Sequence, residues 1–335
     1  MQGLPFVLLF TALTFISWGA YGPLLRHGTV AMHHDGLKAF VGVGLAYFVI
    51  AVIVPLLVLR QKGEKGNWSF AGTTYSIIAG SVGAIGALGI ILALVFKGNP
   101  VYVMPLVFGF APIVNTLVTS WMGRSIQNIK PIFVAGIIAA SLGAGGVLFF
   151  KPQPPASEAA PNYGMVALSI AIATICWGSY GPMLHQGQMR MGGSRLRPFA
   201  CVGIAYFVIA VAAPLVLLQL VPTISQGNWT TSGLTWSIIA GAAGALGALG
   251  IVLAFNSGGK PIYVMPLVFG FAPVINTFIS LTEAQAWSRV QPMFWVSLAV
   301  VIIGAITVLT KAPKPQHHGA APGPQPSQST APAQS

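Results

Sequence analysis

The sequence predicts an all-α polytopic membrane protein, with ten transmembrane helices arranged as two inverted five-helix repeats. Three observations predict it. First, 55% of the 335 residues are hydrophobic and only 6% are charged, where a soluble domain carries about 25% charged residues. Such a chain has too few charges to cover a water-facing surface. Second, its apolar residues run in continuous stretches of about 20, the length that crosses a ~30 Å hydrocarbon core as a helix, without the alternation of a membrane β-barrel. Third, the chain repeats itself: "YVMPLVFGFAPIVNT" at 102–116 returns as "YVMPLVFGFAPVINT" at 263–277, identical at 13 of 15 positions.

The first five apolar segments lie near 3–25, 39–60, 73–97, 101–121 and 130–150, and the second five near 162–184, 198–221, 234–256, 262–282 and 292–311. Residues 1–150 make the first repeat, 151–161 a Pro/Ala linker, 162–311 the second repeat, and 312–335 a polar tail too poor in apolar residues to fold. The first segment lacks a basic start and a small-residue cleavage site, so it is expected to stay as a helix rather than be removed as a signal peptide. It ends on "SWGAYGPLL" (17–25), which returns as "CWGSYGPML" (176–184). In the second segment "GLAYFVIAVIVPLLVL" (44–59) returns as "GIAYFVIAVAAPLVLL" (203–218), at the same offset of 159. The third carries a ladder, Gly80, Gly83, Gly86 and Gly89, repeated as Gly241, Gly244, Gly247 and Gly250. Small residues at this density let helices approach closely, and no strand precedes them as a phosphate-binding loop requires. The fourth is the stretch quoted above, and the fifth completes each unit.

Five is odd, so the second copy starts on the opposite side of the membrane. An axis in the membrane plane then relates the copies. Loop charge agrees: with the N-terminus inside, eleven of the sixteen Lys and Arg fall on the inner side, which places both termini in the cytoplasm. The 2–3 loop, "RQKGEKGNW", is basic, whereas its counterpart "QLVPTISQGNW" has no Lys or Arg. Near-identical helices with diverged loop charge are what opposite orientation produces.

Two constellations are candidate binding sites. Pro105, Gly109 and Pro112, with Pro266, Gly270 and Pro273, are expected to interrupt the fourth helix of each half. A freed carbonyl is tolerated at membrane depth only beside protein or a wet cavity, and matched interruptions point to a midplane site. Tyr102 and Thr116 share the face of these residues, with Asn115 one step around; Tyr263, Asn276 and Thr277 repeat the arrangement. The second constellation is aromatic: Trp18 and Tyr21, repeated as Trp177 and Tyr180, each pair ahead of a Gly-Pro step expected to loosen the helix end. These rings suit stacking on a ligand or an interfacial aromatic belt.

The acids Asp35, Glu64 and Glu158 fall in loops and Glu283 at a segment end. No carboxylate lies mid-helix, so acid–base catalysis and a metal centre have no residues to work with. No enzymatic activity, cofactor or bound metal is expected, and the histidines of "MHHD" (32–35) and His317–His318 are expected to be solvated. The net charge of +12 sits between apolar segments, the dress of membrane loops, which argues against nucleic acid as a partner. Cys176 and Cys201 form no disulfide framework.

The paired "WG.YGP" endings and the paired Pro/Gly-rich fourth helices, set in two five-helix halves, resemble the drug/metabolite transporter superfamily in its ten-helix form with two EamA-like repeats. The resemblance spans about residues 3–311. It implies that a small organic solute crosses through a central cavity between halves that rock in alternating access. Tyr102, Asn115, Thr116, Tyr263, Asn276 and Thr277 would then supply hydrogen bonds, and Trp18, Tyr21, Trp177 and Tyr180 stacking or gating. With no charge in the bilayer zone, the solute is expected to be neutral or zwitterionic, sugar- or nucleoside-like. Proton coupling would need a helix-end group such as His27, His185 or Glu283. The expected partners are this solute and the lipid bilayer of a plasma (inner) membrane, with a homodimer also compatible. The halves are more alike than that family's repeats usually are, which suggests a late duplication. Two alternatives stay open: a membrane structural protein without transport, and a lipid flippase using Arg190, Arg195 and Arg197.

Overall fold

An apolar run in a bilayer can satisfy its backbone hydrogen bonds within itself only as a helix. In the computed structural model every regular element among the described residues is helical. The structure describes residues 3–123, 130–152, 160–225, 227–259 and 261–311, with the backbone alone for 255, 256, 261–263 and 266. The first half contains α1 (Leu4–Ala31), α2 (Gly36–Lys62), α3 (Phe70–Val95), α4 (Pro100–Met122) and α5 (Pro131–Phe150). The second contains α6 (Tyr163–Arg190), α7 (Leu196–Leu220), α8 (Thr231–Asn256), α9 (Pro261–Glu283) and α10 (Pro292–Thr310). Among the described residues nine of these helices are long and apolar enough to cross a membrane; in α9 the apolar stretch so described is Leu267–Glu283. The tail 312–335, most of the linker including Glu158, and the side chains of Tyr263 and Pro266 lie outside the described residues.

Helix starts follow local chemistry. Asp35, Ser69, Asn99 and Asn162 each accept a hydrogen bond from a backbone N–H of the turn they cap, at 3.0–3.2 Å. Proline opens α4, α5 and α10, where a missing N–H costs nothing.

The prolines behave differently from expectation. α1 continues through Pro23 to Ala31 and α6 through Pro182 to Arg190, so the "WG.YGP" motif lies inside a helix and not at its end. α4 is also continuous through Pro105, Gly109 and Pro112, and α9 through Pro266, Gly270 and Pro273; neither is interrupted. One proline removes one donor and leaves the rest of the ladder intact, and continuing the helix exposes less backbone than ending it. The ladder changes instead in α2 and α7. Each widens to a π turn, Phe48–Ile53 and Val208–Ala212, immediately before Pro55 and Pro214. A proline ring crowds the carbonyl four residues back, here Ala51 and Ala210, and the wider turn makes room for it.

Packing is largely reciprocal between the sequence halves, although α4 packs on α10, whereas α9 makes no comparable contact with α5 among the described residues. α1 lies along α8 and α9, while α6 lies along α3 and α4. α2 packs on α8 and α7 on α3, and α2, α4 and α5 each meet their own counterparts α7, α9 and α10. The major contacts therefore cross from one half of the sequence to the other. The glycine ladders allow close approach in several of these: a Cβ on Gly80 would stand 2.7 Å from the Cα of Val202, and one on Gly241 2.6 Å from the Cα of Val43. The outer faces expose large apolar side chains, such as Phe70, Leu142, Phe149 and Leu220.

Candidate functional site

The aromatic motif and the glycine ladder, read separately in the sequence, meet in space. The indole Nε1 of Trp18 donates to the Gly244 carbonyl at 3.1 Å, and that of Trp177 to the Gly83 carbonyl at 3.1 Å. The rings lie so close over the next ladder glycines that a Cβ on Gly247 or Gly86 would fall 2.2 Å from the Cδ1 of Trp18 or Trp177. Each tryptophan thus has its single N–H engaged by a helix carbonyl and its ring seated between α1 and α8, or between α6 and α3. This is a packing role for half of the expected stacking pair. Both tryptophans sit near the middle of 28-residue helices, away from the ends where an interfacial belt forms.

The tyrosines converge beside them. A Cβ on Gly244 would meet the Tyr47 hydroxyl at 3.0 Å and Tyr21 Cδ2 at 3.5 Å; one on Gly83 would meet Tyr206 Cε2 at 3.1 Å and Tyr180 Cδ2 at 3.3 Å. Tyr47 and Tyr206 stack with centroids 3.8 Å apart, and Tyr21 meets the Trp177 ring edge-on at 6.0 Å. Tyr47 and Tyr206 are functional candidates that the sequence argument missed. The available signal was a phenol repeated at matching positions of an otherwise apolar helix. Tyr21 is 3% exposed and its hydroxyl has no hydrogen-bond partner. A buried polar group left unpaired costs about 1–3 kcal/mol, so this hydroxyl points to a ligand or water that completes it. Charged side chains among the described residues stay in loops and within about two turns of helix ends. The aromatic centre is therefore uncharged.

The α4 and α9 candidates are only partly gathered. Asn276 is fully buried and its Nδ2 donates to the Pro100 carbonyl at 2.7 Å, in the first turn of α4 that also carries Tyr102. Its Oδ1 is unpartnered and would stand 2.9 Å from a Cβ on Gly22, the residue after Tyr21. Asn276 is thus anchored to the turn of the other half that carries Tyr102. Asn115 of its own helix is about 20 Å away along the axis, at ~1.5 Å per residue. Tyr102 is buried, with Lys151 Nζ 5.6 Å from its ring. Thr116 and Thr277 are buried, and the Thr277 hydroxyl is unpartnered. Asn115 is half-buried, with its Nδ2 against Gly181. Pro105, Gly109, Pro112, Gly270 and Pro273 are buried. Gly109 admits α10: a Cβ there would lie 2.4 Å from Val301 Cγ1. Of the helix-end groups, His27 and Glu283 come together at 3.2 Å, while His185 is exposed.

No family model and no curated protein matches the chain. The fold does have a precedent. A solved structure described as "Crystal structure of protein" matches with a TM-score of 0.54 at 17% identity, covering 89% of this chain and 98% of that chain. At that identity the likeness concerns the fold alone. The chain is a helical membrane protein with an uncharged aromatic centre, built where its two sequence halves exchange contacts.

Proposed function

We propose that the protein is a secondary transporter, of the drug/metabolite transporter type, that moves a small neutral or zwitterionic organic metabolite by alternating access. Sugar- or nucleoside-like solutes are favoured. In this reading the chain crosses the plasma (inner) membrane ten times, its halves are inverted repeats, and both termini are cytoplasmic. The observation that carries it is the uncharged aromatic centre, with the unpartnered Tyr21 hydroxyl beside Tyr47, Tyr180 and Tyr206. Phenol hydroxyls and ring faces suit the hydroxyl groups and apolar faces of such solutes; an anion or a metal ion would find no countercharge there. The largely reciprocal packing supports a two-fold relation between the halves, as an inverted repeat has.

The test is thermal unfolding of the purified protein against sugars, nucleosides, amino acids and ureides, followed by counterflow of any hit in proteoliposomes. A ligand of the folded state raises the midpoint by linkage. The reading expects a hit that is lost in Tyr21→Phe and counterflow of the same compound. A panel without any hit or counterflow would favour a structural membrane protein.

A further inference from the structure

We propose that the two ends of the α2–α7 pair are gates, each closed by a carboxylate latch and each opened by a bend at a π turn. Their purpose rests on the transport reading, but their geometry stands without a solute.

The two helices run antiparallel. Beside the start of α2, Lys38 Nζ donates to Asp35 Oδ2 at 2.7 Å, to the Gly227 carbonyl at 2.7 Å and to the Ser225 hydroxyl. Ser225 in turn donates to Asp35. Ser225 and Gly227 follow the end of α7. At the opposite end Glu64 follows the end of α2. It accepts from the Ser194 hydroxyl at 2.5 Å and from the backbone N–H groups of Arg195 and Leu196 at 3.0 and 3.3 Å, all at the start of α7. Arg197 Nη1 lies 3.7 Å from Glu64 and donates to Ser194 at 3.1 Å. The 27 residues of α2 between these clusters span about 40 Å.

In the repeat, Asp35 corresponds to Ser194, Lys38 to Arg197 and Ser225 to Glu64. The same latch is therefore built at both ends, with acid and hydroxyl exchanged between the two loops. Each latch joins one sequence half to the other. Asp35 and Lys38 are 7% and 6% exposed. At that burial the desolvation of the ions largely offsets their attraction, so a latch of this kind closes a loop without locking it.

The hinges lie between the latches and the centre. The π turns Phe48–Ile53 and Val208–Ala212 directly follow Tyr47 and Tyr206–Phe207. Beyond them, the arms Val54–Lys62 and Ala213–Leu220 are barely packed, with Pro55 and Pro214 their only buried residues. Arms with so few buried contacts are the segments that open first. Swinging the α7 arm frees one latch and swinging the α2 arm frees the other, while the tyrosine stack stays between them. With both latches made, this conformation is closed at both ends.

Hydrogen–deuterium exchange on the full chain in lipid nanodiscs tests this without any solute. Asp35→Ser should raise exchange over 213–230 about tenfold, the effect of losing one charge-assisted bond, without raising it over 54–69. Glu64→Ser should do the reverse. The double variant Asp35→Ser/Ser225→Glu rebuilds the Glu64–Ser194 arrangement at the other end and should restore protection over 213–230. Faster exchange at both ends from either single variant, or no restoration in the double variant, would overturn the gates. A solute hit with such an exchange result leaves transport standing without these gates. The predicted exchange without any solute hit or counterflow leaves the gates standing and removes the transport reading.

Discussion

Tyr47 lies flat against Tyr206, with ring centroids 3.8 Å apart and planes within 3°. The two are sequence counterparts, as are Phe48 and Phe207, whose rings are 4.7 Å apart, and Phe108 and Phe269 at 6.1 Å. A residue can touch its own counterpart only where a two-fold axis between the copies would pass, so this stack marks the centre of the exchanged packing.

That stack separates ring from hydroxyl. Tyr47→Phe and Tyr206→Phe keep both rings but remove the buried hydrogen bond between the two hydroxyls, and are expected to cost about 0.5–1.5 kcal/mol. Tyr47→Ala or Tyr206→Ala opens a cavity at the centre and should cost about 3–5 kcal/mol. Denaturant unfolding in detergent measures both. A Phe variant as damaging as its Ala counterpart would assign the stability to the hydroxyls instead of the rings.

The tryptophan seats make a sharper comparison. Gly86→Ala and Gly247→Ala place a methyl 2.2 Å from an indole carbon, and overpacking of this kind costs about 1–3 kcal/mol. Gly145→Ala meets nothing within 4 Å and lies in α5, where alanine gains about 0.5–1 kcal/mol of helix propensity. The thermal midpoint should fall for the first two variants and hold or rise for the third.

Asn115 and Asn276 occupy equivalent sequence positions in different surroundings. Asn276→Ala removes a buried 2.7 Å bond to the Pro100 carbonyl, a loss of about 1–3 kcal/mol. Asn115→Ala, at a half-buried position, is expected to cost less than about 1 kcal/mol. Equal midpoints for the two variants would contradict this asymmetry.

Acid should release the Asp35 latch. Burial alone raises the Asp35 carboxyl, but hydrogen bonds from Lys38 and Ser225 and the Lys38 charge outweigh it and hold the group below the usual carboxylate range. A depressed folded value contributes stability above the unfolded value of about 3.9, and this is lost as pH falls through the folded value. Wild type should therefore lose more of its midpoint than Asp35→Asn between neutral pH and pH ~3. Parallel curves would show that Asp35 is not held low.

The sequence by itself determined the helices, their order and the duplication. Run length and hydropathy dictate a helix wherever lipid forbids any other backbone, so the segments near 39–60 and 292–311 were placed within a few residues of α2 and α10. It also pointed to Trp18, Tyr21 and Asn276, which do reach the interior or line it. Only the tertiary structure decided what these residues meet. It seated Trp18 on the α8 ladder, paired Tyr47 with Tyr206, joined Asp35 to Ser225, and moved the irregular turns from α4 and α9 to α2 and α7. The reason is physical. Lipid tails and a helix interface are equally apolar, so hydropathy cannot tell which face of an apolar helix turns inward. The helices that meet stand far apart in the chain, 94 residues between Trp177 and Gly83 and 226 between Trp18 and Gly244, where no local period reaches. Whether a proline bends a helix depends on the carbonyl it crowds and on the neighbour that can give way, and both are set by packing.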